Sequence, residues 1–299
     1  MRTLIVVILA VLIPGAACAH GAASDSSHAA WSFDPWVVLP LLASASLYVL
    51  GATALWRRAG YGRGIHSWQA AAYAGGLGLL AAALVSPLHQ LGERLFTFHM
   101  IEHEVIMAMA APLLAVARPI GAFLWALPQT VRVLLRRLSH GRTTTTFWRG
   151  LVQPTAATII HGAAIWIWHL PALFDASVDI IAVHRLQHLS FLLTALLFWW
   201  ALLRTRDYGV AAGHIFFTML HTSILGALIA LAPRVLYPLQ TADAARWGLS
   251  SLQDQQLAGL VMWVPGGIIY AAAALACTAL WIQRAGRHTG FAHLGHPTS

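Results

Sequence analysis

The sequence predicts an all-α polytopic membrane protein, a seven-transmembrane-helix bundle after a cleavable signal peptide. Three observations carry this expectation. Of the 299 residues, 59% are hydrophobic and only 9% charged, whereas a soluble domain carries about 25% charged residues. Mean hydropathy is +0.69. The apolar residues gather in runs of about 20, the length a helix needs to cross a bilayer. The net charge of +8 does not indicate nucleic acid. The sequence has no Lys, and its Arg residues fall in short loops between apolar runs, the pattern that orients membrane proteins.

From the start of the chain, residues 1–19 read as a signal peptide. Arg2 precedes an apolar run, Pro14-Gly15 breaks it, and Ala17-Cys18-Ala19 offers a cleavage site. Residues 20–34 form a short extracytoplasmic segment, 35–283 the membrane domain and 284–299 a cytoplasmic tail. The seven apolar runs span 35–56, 68–88, 97–117, 155–171, 184–203, 214–231 and 257–282. With the N-terminus outside, the inner loops and tail hold Arg57, Arg58, Arg63, Arg118, Arg132, Arg136, Arg137, Arg142, Arg149, Arg204, Arg206, Arg284 and Arg287. The outer side has only Arg94, Arg185, Arg234 and Arg246, so the plasma-membrane topology is N-terminus out, C-terminus in. In the longest inner loop, residues 129–140 alternate Val131, Leu134, Leu135 and Leu138 with Arg132, Arg136 and Arg137, an amphipathic helix suited to the inner membrane surface. The threonines at 143–146 read as a short flexible piece. Cys18 in the leader and Cys277 in the last run leave the mature chain without an internal disulfide or a Cys-x-x-Cys site.

The chemistry concentrates in the third run, where His99, Glu102, His103 and Glu104 fall within six residues. Ionisable groups inside a span cost several kcal/mol unless they face the bundle and find partners. His99 and His103, spaced i, i+4, share one helix face, with Met107 one turn further. His184 and His188 repeat that spacing at the start of the fifth run, and His169 closes the fourth. The topology brings these five histidines to one outer level, with Glu102 beside them and Asp254 just before the seventh run; His161 and His221 lie deeper. A single histidine reads as an interhelical hydrogen bond, but two pairs at one depth read as a ligand site. Copper accepts imidazole and thioether; haem b between two facing histidines is the alternative, and a copper or proton transporter using His161 and His221 is another. The metal set is His99, His103, His184, His188 and His169, supported by Met107, Glu102 and Asp254. Glu102 is placed to orient a histidine, and Arg185 to pair with Glu102 or Glu104. A His-Glu-x-x-His motif, a nucleophile triad and a phosphate cradle are all missing, so a non-enzymatic role is expected.

Several phrases resemble the seven-helix CtaG family of bacterial cytochrome c oxidase assembly factors. They are Phe98-His99-Met100-Ile101-Glu102-His103 with Ala111-Pro112-Leu113-Leu114 and Arg118-Pro119; Trp168-His169-Leu170-Pro171; His184-Arg185-Leu186-Gln187-His188; Leu236-Tyr237-Pro238; Asp254-Gln255-Gln256; and Met262-Trp263-Val264-Pro265-Gly266. The family often has Gln where this chain has Glu102, which suits a hydrogen-bonding role at that position. The resemblance implies a role in maturing a haem-copper oxidase at the outer side of the plasma membrane, with the oxidase subunits as partners and copper as the metal handled.

Overall fold

The computed structural model describes residues 31–139 and 141–293, so the expected signal peptide lies outside the described residues. Among these the secondary structure is helical, with no strand. Helix α1 (Pro35–Ala59) starts where Asp34 accepts the Trp36 N–H at 3.0 Å with Pro35 at the first position, a start that satisfies orphan donors at no cost to the helix. It ends on Arg57, Arg58 and Gly60. Helix α2 (Ser67–Leu84) is followed by a short α3 (Pro87–Gly92), which Ser86 caps by accepting the Leu88 N–H at 3.2 Å. Helix α4 (Phe96–Val116) contains a π turn at Val105–Ala110. There follow α5 (Pro119–Ala126), α6 (Gln129–Ser139), α7 (Arg142–Leu151), α8 (Pro154–Trp168) and α9 (Pro171–Asp179). The long helices α10 (Ile181–Arg204) and α11 (Tyr208–Ala230) come next. Then α12 (Ser251–Val261) passes through a second π turn (Met262–Gly266) into α13 (Gly267–His293).

Among the described residues, five helical columns are long and apolar enough to cross a membrane: α1, α4, α10, α11 and the column Ser251–Arg287. A sixth arises if α7 and α8, bent by 67° at their break, form one span. Two of the seven expected runs therefore differ from simple spans. The run 68–88 divides at Val85-Ser86, because Ser86 caps and Pro87 starts a new helix. The run 155–171 stops at Trp168, since Pro171 opens α9. The 143–146 threonines, expected to be flexible, are wound into α7. The expected tail from 284 begins as a continuation of α13.

Helix α4 is the centre of the bundle. It is 67% buried along its apolar stretch, against 17% for α1, and it packs on α2, α10 and α12. Bonds from two distant residues hold it. The Asp254 carboxylate at the head of α12 accepts the N–H groups of Phe96 and Thr97 at 2.8 and 3.0 Å and the Thr97 hydroxyl at 2.7 Å, capping the start of α4 from another helix. In the π turn, where the wider winding disturbs the backbone ladder, the Met107 carbonyl accepts Trp199 Nε1 of α10 at 2.9 Å. Helices α11 and α12 approach through glycines: a Cβ on Gly226 would lie 2.8 Å from Trp263 N, and one on Gly259 would meet Gly226 O at 2.6 Å and also strike Ala230 N.

Because that contact is backbone on backbone, Gly259→Ala is expected to destabilise the protein by about 1–3 kcal/mol. Gly213→Ala, a helical position with open space around it, should be neutral or stabilising by up to ~1 kcal/mol. Thermal unfolding of the two variants in detergent checks the contrast.

Candidate metal centre

The i, i+4 spacing on α4 stacks His99 and His103 with ring centroids 4.3 Å apart, and the same spacing on α10 stacks His184 and His188 at 4.3 Å. The two pairs face each other: His103 to His188 is 5.1 Å, His99 to His184 5.5 Å and His99 to His188 5.7 Å. One ring nitrogen from each of His99, His103 and His188 falls within 4.8 Å of the others. His169, at the end of α8, stands 6.2 Å from His103. Its Nδ1 donates to the Ile165 carbonyl at 2.7 Å, which leaves Nε2 without a partner. The Tyr237 hydroxyl donates to the His169 carbonyl at 2.7 Å and so fastens this helix end beneath the 233–256 connection.

Both ring nitrogens of His99 and of His103 lack a hydrogen-bond partner, as do Nε2 of His184 and of His188. The Gly92 carbonyl beside His99 is engaged by Gln240 Nε2 at 2.7 Å. A buried polar atom left unpaired costs ~1–3 kcal/mol, so this concentration of unpaired nitrogens in one place is unfavourable for a purely structural cluster. His99 and His103 are 0% and 1% exposed, and Phe174 and Phe191 close over them at 5.1 and 4.7 Å. His184 and His89 are less completely enclosed than His99 and His103, with the His89 side chain 13% exposed.

The sequence reading missed His89. It comes from α3, the short helix created by the break at Ser86-Pro87, and that capping signal was the one available clue. His89 Nδ1 donates to Glu102 Oε1 at 2.7 Å, and its ring lies 5.7 Å from His184 and 6.2 Å from His188. Burial disfavours its charged form, but the hydrogen bond and charge of Glu102, aided by Glu93 and Asp34, outweigh burial and raise its pKa. Glu102 Oε1 also stands 3.9 Å from His188 Nδ1, beyond hydrogen-bond distance, so its bond is to His89. Gly92 gives Glu102 its room, since a Cβ there would lie 2.7 Å from Oε2.

Two expected roles, of Asp254 and Arg185, take another form. Asp254 is spent on capping α4, with both oxygens engaged. Met107 is buried in the hydrophobic core, with its carbonyl held by Trp199. Arg185 pairs with Asp34 at 2.7 Å rather than with Glu102 or Glu104, while Glu104 rests against Gly266 of the second π turn. His161 and His221 form a separate polar spot: His161 Nδ1 bonds Thr194 Oγ1 at 3.1 Å, and Trp166 Nε1 donates to His221 at 3.3 Å.

The chain is 27% identical over 250 residues to uncharacterized proteins of Mycobacterium bovis and Mycobacterium tuberculosis, covering 78% of this chain and 36% of each relative. It is 24% identical over 271 residues to an uncharacterized protein of Mycobacterium leprae, covering 85% and 40%. The chain thus spans well under half the length of these relatives. No solved structure matches it. The family of cytochrome c oxidase caa3 assembly factors matches residues 46–284, a stretch that contains all six histidines of the cluster, Glu102 and the Asp254 cap. The chain belongs to that family.

Proposed function

We propose that the protein assists assembly of a haem-copper cytochrome c oxidase by holding copper at the histidine cluster and passing it to an oxidase subunit. The observation that carries this reading is the trio His99, His103 and His188, whose ligand atoms lie within 4.8 Å of one another. Nitrogens sharing one ion at ~2.0 Å stand closer than that, and small side-chain rotations would close the difference. His184 and His169 border the trio as ligands for uptake and release, and Glu102 orients His89 beside them. Neutral imidazoles without thiolate suit copper among the metals of an oxidase. The close packing of Phe174 and Phe191 against the rings favours an ion over haem b.

In this reading the cluster opens to the extracytoplasmic side of the plasma membrane, with N-terminus out, C-terminus in and seven spans. Helices α2 and the α7–α8 pair supply the two spans beyond the five columns. The Arg-rich loops support that orientation. The role is binding and transfer, without catalysis.

Detergent-purified protein should carry copper near one per chain, and His99→Ala/His103→Ala should lose it; elemental analysis with an absorbance spectrum checks this, and a stoichiometric Soret band would replace copper by haem. Glu102→Ala should keep the fold and weaken copper binding by about 10–100-fold, read by competition with a chromophoric Cu(I) chelator. In cells, replacing His99, His103, His184 and His188 together by Ala should lower oxidase activity and its copper content. Unchanged values in that strain would sink the copper-transfer reading.

A further inference from the structure

At the end of the bundle opposite the histidines, the structure has a cavity of about 310 Å³. It is built where the start of α2 meets the last turns of α4 and α10, and its lining includes His66, Trp68, Gln69, Arg118, Trp200 and Arg204. No carboxylate lines it. Among the described residues neither Arg118 nor Arg204 forms an ion pair, and the nearest acid in sequence, Asp207, is occupied in capping α11 through the N–H groups of Gly209 and Val210.

The Arg204 guanidinium is held by a ring contact, and the backbone of Arg118 is fixed. Arg204 lies over the Trp200 ring, 4.3 Å from its centroid, an arrangement that leaves its N–H edge free to donate. Arg118 is held in the left-handed region at φ 54°, alone among the described non-glycine residues. Pro119 restricts that position further, and such strain persists only where surrounding structure imposes it. Gln69, almost fully buried, ties the floor together: it accepts the His66 N–H at 3.0 Å and donates to the Val116 carbonyl at 3.3 Å.

Arg at the end of a helix has a simpler role, in offsetting the helix dipole. That role calls for neither a shared cavity nor a left-handed backbone. The ligand class follows from the lining. Two guanidinium groups with no acid between them match the oxygens of a phosphate. The volume is at the small end for a ligand pocket, enough for a headgroup. Trp68 and Leu203, 55% and 48% exposed, offer apolar surface at its rim for acyl chains. Basic pockets between transmembrane helices on the Arg-rich side recognise acidic lipid headgroups.

We propose that this cavity binds a phosphate group, supplied by the headgroup of an anionic phospholipid. The test is native mass spectrometry of the full chain in detergent with phosphatidylglycerol, phosphatidylcholine or inorganic phosphate added in separate arms. Phosphatidylglycerol should be retained about tenfold more than phosphatidylcholine, and Arg118→Gln/Arg204→Gln should abolish the difference. Arg57→Gln/Arg63→Gln, at the same end but outside the cavity, should retain it. Arg204→Gln alone, which leaves the Arg118 turn untouched, should reduce it and guards against a folding defect in the double variant. Displacement of the lipid by millimolar inorganic phosphate would overturn the lipid as source. Equal retention of both lipids, or undiminished preference in the double variant, would overturn the site.

Discussion

Polar groups withdrawn from water inside an apolar bundle must find partners within the protein, and the architecture of this chain follows from how it meets that requirement. Asp254 reaches from α12 to satisfy two backbone donors and a hydroxyl at the start of α4. Gln255, its neighbour, accepts the Leu236 N–H at 2.5 Å and donates to the Arg234 carbonyl at 3.1 Å, which anchors the 233–256 connection on the bundle. Trp199 serves the π turn of α4. These bonds set where α4 begins, how deep it lies and which face it turns toward α10.

Among the described residues, buried polar side-chain atoms without a partner also occur at Glu102, Glu104, Asp175, Gln187, Thr218 and Arg132, but nine are imidazole nitrogens. They are confined to one cluster and to the separate His161/His221 spot. The cluster is held from every side: α3 delivers His89 to Glu102, α8 delivers His169, and Phe174 of α9 with Phe191 of α10 closes it from water. Rigid helices thus support rings whose nitrogens have no partner within the protein, and the proposed metal site rests on that arrangement.

The two ends of the bundle carry opposite chemistry. At one end imidazoles and the Glu102 carboxyl face inward. At the other, guanidinium groups and indole rings line an open cavity. Because α4 and α10 contribute residues to both, the same two helices connect the ends through a core that includes Phe198, Trp199 and Met107.

Composition and periodicity alone determined that the chain is a helical membrane protein, placed most helix boundaries within a few residues, and paired His99 with His103 and His184 with His188. Those features are local: hydropathy and a 3.6-residue repeat are written in adjacent residues. What only the tertiary structure decided are the relations between distant segments. The 68–88 run looked like one span because Leu84-Val85 and Leu88 flank the Ser86-Pro87 stop with apolar residues. His89 lies one residue beyond the expected 68–88 run, and only α3 turns it toward Glu102. Asp254 was expected to support the histidine set because its depth was right, while its direction was set by the free N–H groups of a helix more than 150 residues away in sequence. Arg185 found Asp34 rather than a span carboxylate for the same reason. Depth follows from counting residues along a helix; direction and partner depend on how that helix is rotated and packed against its neighbours, which no single segment encodes.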